Sequence, residues 1–220
     1  IRVKEPMQTN SSRLRFDSQA SLDEFTAALA AKTSAPGGGS AAALVGAVGV
    51  SLASMAAHFT ISKPQFMAHE KALNELLDEV SSVRVALLSL VDEDAKGLAH
   101  LMSVYKIPKD NPQRSDLLQQ ALQGAYKAPL AMMEQICSAI DILDKMSSMC
   151  APMLLSDVGS GALICRAALE AASYNVLVNI RLLHDKQEAQ AVDTRCSYML
   201  THFVAQAEAC AERIRRYMKG

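Results

Sequence analysis

From Thr33 to Ser62 the chain carries no Lys, Arg, Asp or Glu, and no other feature limits its fold as strongly. Within that run stands Ala35-Pro36-Gly37-Gly38-Gly39-Ser40. Three successive glycines predict a backbone turn, because glycine gives up the most conformational freedom when held in a helix or strand. Ser40 then offers an N-cap hydroxyl to a helix beginning at Ala41. Gly46, Ala47, Gly49, Ser51, Ala53, Ser54, Ala56 and Ala57 keep that helix thin, so neighbours can approach it on nearly every side. The expectation is a buried central helix with a binding loop at its head. The amides of such a helix start carry partial positive charge and no hydrogen-bond partner, which suits an anion or a carbonyl-rich ligand. The run is long enough to raise the question of a membrane span. Its Ala, Gly and Ser content, and the lack of an aromatic belt, fit a buried helix of a soluble bundle better.

Elsewhere, apolar residues recur by threes and fours and never alternate, so the chain is expected to be all-α. Residues 1–20 show no periodicity and read as a tail; residues 21–220 read as a single helical domain. Ser21 and Glu24 form a capping box for a short first helix. A long helix from Phe66 to Tyr105 carries the stripe Leu73, Leu76, Val80, Val83, Leu87, Leu90, Asp94, Leu98, Leu101 and Tyr105. A further helix, capped by Ser115, runs to Met146; Pro129 inside it removes a backbone donor and frees the carbonyl of Ala125. Ser156-Asp157 is expected to cap a second thin helix through Gly159 and Gly161, and a last helix spans Glu188 to Lys219. The architecture this implies is a multi-helix bundle of long antiparallel helices around small-residue-rich central ones. Two thin helices also suggest close self-association, as a homodimer.

The formal charge of −1 argues against binding nucleic acid or an anionic membrane. Five scattered cysteines without zinc-site spacing read as reduced core thiols of a cytoplasmic protein, and no metal ligand set is assigned. One acid breaks the pattern. Asp94 occupies an apolar stripe position, where an ionised carboxylate needs either a partner or a cationic ligand. Arg84, Lys96 and Arg166 are possible structural partners. Asn175 and Asn179, one turn apart, offer paired donors and acceptors either to a heterocycle edge or to a neighbouring helix.

Taken in order, these segments resemble the cyclodeaminase/cyclohydrolase family of tetrahydrofolate enzymes. The resemblance rests on Ala35-Pro36-Gly37-Gly38-Gly39-Ser40-Ala41-Ala42 with Gly46, on Asp92-Glu93-Asp94-Ala95, on Ile107-Pro108-Lys109 and on Ala128-Pro129-Leu130. It continues through Ser156-Asp157-Val158-Gly159 and Asn175-Val176 with Asn179. Two segments depart from the family's pattern. Ser62-Lys63-Pro64-Gln65-Phe66 keeps a single cation, and Cys150-Ala151-Pro152-Met153 replaces a Gly-Asn loop. The resemblance implies an enzyme that cyclises 5-formimino-tetrahydrofolate to 5,10-methenyl-tetrahydrofolate with release of ammonia. A cyclohydrolase opening the methenyl ring to 10-formyl-tetrahydrofolate is the alternative, and a folate-binding module without turnover the third. It further implies Asp94 and Asp92 as catalytic acids, and Gly37, Gly38, Gly39, Ser40 and Lys63 as holders of the substrate's carboxylates or aminobenzoyl carbonyl. Asn175 and Asn179 would read the pterin, with Asp157 and Arg166 lining the pocket. No cofactor beyond the tetrahydrofolate substrate is implied.

Overall fold

The computed structural model describes residues 17–220, and no strand occurs among them. The residues before position 17 include most of the expected tail and lie outside the described ones. The helices are α1 (Leu22–Ala30), α2 (Gly38–Ile61), α3 (Glu70–Tyr105), α4 (Arg114–Met149), α5 (Leu155–Ile180), α6 (Lys186–Met199) and α7 (Ala205–Lys219). Short 3₁₀ turns, Pro64–His69 and Pro152–Leu154, lead into α3 and α5. A π turn, Leu200–Val204, joins α6 to α7, so the last helix is interrupted where the periodicity predicts one piece.

The Ser21–Glu24 capping box forms at the head of α1. Helix α5 starts one residue before Ser156, without a side-chain cap, so Ser156 and Asp157 sit in its first turn. Helices α2, α3, α4 and α5 make a four-membered bundle, with α3 and α5 flanking α2 and α4 diagonally across the core. Helix α7 packs on the outer side of α4 and α5. The core between the four is filled by Leu73, Leu87, Leu122, Met132, Ile136, Leu143 and Leu169, all fully buried. Each such side chain contributes about 1.5–3 kcal/mol through loss of apolar surface to water.

The thin helices let backbones meet. A Cβ on Gly49 would lie 2.6 Å from Cys165 Sγ, and one on Gly161 would lie 2.8 Å from the Gly49 carbonyl oxygen. Thus α2 and α5 cross at a point with no room for a methyl group on either side. On its third side α2 meets α4, where a Gly46 Cβ would stand 3.0 Å from Ile136 Cγ1. The fourth side differs from expectation. Val45, Val48 and Phe59 are exposed, so α2 is central to the bundle but not enclosed by it. By length and composition alone, the segments Gly38–Ile61 and Pro152–Ile180 could each cross a membrane; the first has 56% of its most apolar window buried against the other helices.

Candidate functional site

The first helical residue of α2 is Gly38, with Gly37 as its N-cap in extended conformation and no side-chain cap of its own. Two of the three glycines therefore lie inside the helix rather than in a turn. Neighbours explain them better than flexibility does. A Cβ on Gly39 would stand 2.5 Å from Asp94 Oδ1, and one on Gly38 would stand 3.6 Å from the Asn175 side-chain amide. The glycines are what allow α3 and α5 to bring polar side chains against the start of α2.

Ser40 is consequently not the N-cap. It is fully buried in the first turn, and its hydroxyl donates to Asp94 Oδ2 at 2.8 Å. Its backbone N–H also hydrogen-bonds to that carboxylate. Asp94, reaching across from α3, thus supplies the cap that α2 lacks. Only 8% of Asp94 is exposed. Burial pushes its carboxyl above the ordinary 3.8, while the Ser40 hydroxyl and amide pull it back down. None of Arg84, Lys96 or Arg166 pairs with it, and among the described residues it makes no ion pair. A carboxylate held by one hydroxyl and one amide, without a cation, retains acceptor capacity for a ligand.

That capacity faces a cavity of about 230 Å³ at this end of the bundle, bounded by Gly37, Gly38, Gly39, Asp94, Asn175 and Asn179. Leu98, Leu101, Met102 and Tyr105 of α3, together with Val178 near the end of α5 and Leu182 in the turn after it, supply its apolar walls. Of these, Met102, Val178 and Leu182 carry no signal in the sequence beyond helical spacing. Ala125 and Pro129 of α4 complete the lining. Because Pro129 has no N–H, the Ala125 carbonyl is left without its usual helical donor. Asn175 Nδ2 donates to the Ala171 carbonyl at 3.0 Å, and Asn179 Nδ2 to the Asn175 carbonyl at 2.7 Å. Both amides are therefore pinned on their own helix, and among the described residues no donor reaches either side-chain oxygen.

Four of the expected site residues stand elsewhere. Asp92, on another flank of α3, accepts hydrogen bonds from the Ser18 N–H and hydroxyl, both at 2.9 Å, and anchors the chain ahead of α1. The two-residue step from Asp94 turns it through roughly 200° of helix. Lys63 lies past the far end of α2, where its ammonium meets Met153 Sδ at 3.0 Å. The 24 residues of α2 separate it from the glycines, about 36 Å at helical rise. Asp157 is in the first turn of α5, at the opposite end from Asn175. Arg166 is midway along α5, in ion pairs with Glu170 and Glu208 at 3.5 and 3.9 Å. No three His, Cys, Asp or Glu side chains converge as a metal site among the described residues.

Chemically, the pocket joins one proton-carrying or anionic group to an apolar slot with amide oxygens on one wall and helix-start amides at its mouth. It suits a flat, hydrogen-bonding ligand on which positive charge develops. The chain is similar to several known proteins. The pattern of the family described as formiminotransferase-cyclodeaminase matches residues 21–198. A formimidoyltransferase-cyclodeaminase from Rattus norvegicus is 31% identical over 192 residues, which are 86% of this chain and 36% of that one. The chain therefore spans about a third of the length of that relative. A methenyltetrahydrofolate cyclohydrolase from Methylorubrum extorquens is 30% identical over 203 residues, 90% of this chain and 96% of that protein. The crystal structure of a formiminotetrahydrofolate cyclodeaminase from Thermotoga maritima superposes with a TM-score of 0.78 at 26% identity, covering 92% and 97% of the two chains.

Proposed function

The chain belongs to the formiminotransferase-cyclodeaminase family, and from that premise we propose that it cyclises 5-formimino-tetrahydrofolate to 5,10-methenyl-tetrahydrofolate and releases ammonia. The observation that carries the reading is Asp94, a buried carboxyl without a cation, aimed into an apolar cavity. In the reaction N10 of the substrate attacks the protonated formimino carbon attached to N5. The Asp94 carboxylate takes the N10 proton, leaving a neutral tetrahedral adduct. It returns that proton to the exocyclic nitrogen, which departs as ammonia while the N5–C–N10 bridge becomes a delocalised cation. A carboxyl whose affinity for protons is raised by burial suits both transfers. Its negative charge then lies beside the cation in a site of low polarity, where the attraction is strongest. Asn175 and Asn179 meet the pterin edge, and the Gly37–Gly39 amides meet the tail. The protein works in the cytoplasm as a homodimer, with no cofactor besides its folate substrate and no nucleic-acid or membrane partner.

A second reading has a specific observation behind it. The Methylorubrum extorquens relative, covered over 96% of its length, is named a methenyltetrahydrofolate cyclohydrolase. In that reaction water replaces N10 as the nucleophile, and the same anion steadies the same cation. A module that binds folate without turnover is the third reading. Ammonia release from 5-formimino-tetrahydrofolate, measured beside loss of methenyl absorbance from 5,10-methenyl-tetrahydrofolate, separates the three. We expect saturable ammonia release, abolished in Asp94→Asn. Turnover of that variant within about threefold of wild type, roughly 0.65 kcal/mol of barrier, would remove Asp94 from the mechanism.

A further inference from the structure

The outward side of α2 is an apolar seam. Ala41, Val45, Val48, Leu52, Met55 and Phe59 follow one another at intervals of four, three, four, three and four, the spacing of a coiled-coil contact stripe. Val45, Val48 and Phe59 are 42%, 50% and 58% exposed, and no charged residue interrupts the helix. On neighbouring α5, Leu163, Tyr174 and Val178 are exposed by 41%, 72% and 47%, and Val178 lies at the cavity beside the head of α2. Phe59 and Tyr174 can each bury about 150–250 Å² and the four aliphatic residues less, so at these exposures the six offer at most about 600 Å². The half-covered Leu52 and Met55 add to that. A stable interface takes roughly 800 Å² from each partner.

The stripe says what should cover it. Its intervals read the same from either end, about the level of Val50. An antiparallel second copy therefore sets Ala41 against Phe59, Val45 against Met55 and Val48 against Leu52. In each pair a smaller residue faces a larger one, so the two helices can keep a constant separation. A parallel copy would stack Phe59 on Phe59 and Ala41 on Ala41, wedging the helices apart at one end. Antiparallel packing also opposes the helix dipoles. A lipid surface would gain nothing from such registry.

We propose that α2 seats a second copy of this chain antiparallel about Val50, and that each copy lends Lys63 to the other's cavity. The register that pairs position 41 with 59 pairs position 37 with 63, which brings the partner's Lys63 beside Gly37. Val178 and Gly38 border both the seam and the cavity, so the two surfaces are continuous. Among the described residues, no Lys or Arg lines the cavity. Among the described residues of its own chain, Lys63 has the Met153 thioether as its one hydrogen-bond partner. Its assigned task, neutralising a carboxylate of the substrate tail, rests on the folate reading above; the docking itself does not.

The test uses the full chain. Ala41→Cys and Phe59→Cys chains, mixed and oxidised, are expected to form a disulfide-linked dimer, whereas neither forms one alone. The native cysteines are all buried and do not compete. In this register like positions 41 lie about 27 Å apart along the axis, far beyond the roughly 7 Å a disulfide spans. Val48→Glu, a change at an exposed position, is expected to keep the helical content and yield a monomer by light scattering. Cross-linking of Ala41→Cys with itself would overturn the antiparallel register. A wild-type monomer at micromolar concentration, or flotation with anionic vesicles in place of self-association, would overturn the docking. Finally, Asp94→Asn and Lys63→Glu chains, each inactive alone, should recover about a quarter of wild-type turnover when mixed, because half the random pairs are mixed and each holds one intact site. Cross-linking without recovered turnover would reject Lys63 and leave the dimer standing. If wild type itself turns over neither folate substrate, the folate reading fails independently of the cross-link.

Discussion

Replacing Gly39 by alanine tests whether the start of α2 exists to position Asp94. The added Cβ would lie 2.5 Å from Asp94 Oδ1 and 2.8 Å from both Cγ and Oδ2, closer than the 3.0 Å below which real contacts essentially never fall. The carboxylate must retreat by about half an ångström or more. Aspartate is too short to do so by bending only its tip, since its Cγ is also too close. The 2.8 Å hydrogen bond from the Ser40 hydroxyl is then stretched or lost. A hydrogen bond to a charged group is worth roughly 1.5–3 kcal/mol, and an ångström of misplacement at a reacting group costs up to about 100-fold in rate. We expect kcat/KM for ammonia release to fall about 10–100-fold, roughly 1.4–2.7 kcal/mol of transition-state stabilisation. Stability should change little, because alanine is favoured over glycine in a helix by about 1 kcal/mol, which offsets part of the strain. Gly124→Ala on α4 is the control, with nothing within 4 Å of its Cβ. The assay is initial-rate ammonia release beside thermal melting. A Gly39→Ala enzyme within threefold of wild type would show that the carboxylate's position does not matter, and the argument for Asp94 would go with it.

Three further outcomes follow from the same coordinates. Burial raises the folded-state pKa of Asp94 above 3.8, so the native protein holds that proton more tightly than the unfolded chain; the resulting stability is complete below about pH 3.8 and is lost as pH rises through the folded value. Melting temperatures of Asp94→Asn and wild type, compared from pH 4 upward, should diverge in favour of Asn and then run parallel; a gap that is constant or shrinks would refute the shift. Gly161→Ala places a methyl 2.7 Å from Leu143 Cδ2 and 2.8 Å from the Gly49 carbonyl oxygen, and overpacking of roughly 1–3 kcal/mol should lower Tm by about 2–12 °C, at about 2–4 °C per kcal/mol. Gly124→Ala should instead raise Tm by about 2–4 °C through the roughly 1 kcal/mol helix preference of alanine; an unchanged Gly161→Ala melt would show that Gly161 is not limited by packing, and an unchanged Gly124→Ala melt would refute the helix-preference gain.

Helical periodicity made the bundle readable. The stripe from Leu73 to Tyr105 forms one continuous helix, and Asp94 stands out in it because a carboxylate replaces the apolar residue the stripe requires. The capping box at Ser21 was equally legible, since both of its bonds are local. What the sequence hid is distance along rods. Lys63, Asp157 and Arg166 follow the glycines or precede the asparagines in the chain, yet lie roughly two and a half to seven helical turns from them along α2 and α5. Order in the chain carries no such separation. Asp92 was obscured differently: neighbours two apart on a helix face different ways, and only tertiary contact with Ser18 shows which. Reading Gly37–Gly39 as a turn failed because glycine was explained by its own freedom, whereas Gly38 and Gly39 are explained by what approaches them.

That last point joins the two halves of the function. A helix with glycine at its head and small residues on its inner face lets α3, α4 and α5 close in, which brings Asp94 to the first turn and Asn175 alongside it. Close approach on three sides leaves the larger residues, Val45, Val48 and Phe59, on the fourth, where they stand exposed among the described residues. A uniformly thin helix would have no outward seam, and a uniformly bulky one would hold Asp94 away from the Ser40 amide. The asymmetry of α2 thus serves the site from inside the bundle and, if the antiparallel cross-link forms, supplies it with a cation from outside. Mutations that thicken the inner face should therefore damage chemistry at Gly39, where Asp94 approaches, and stability at Gly46 and Gly49, where α4 and α5 pack. Charges on the outer face should leave each folded chain intact and act only on assembly.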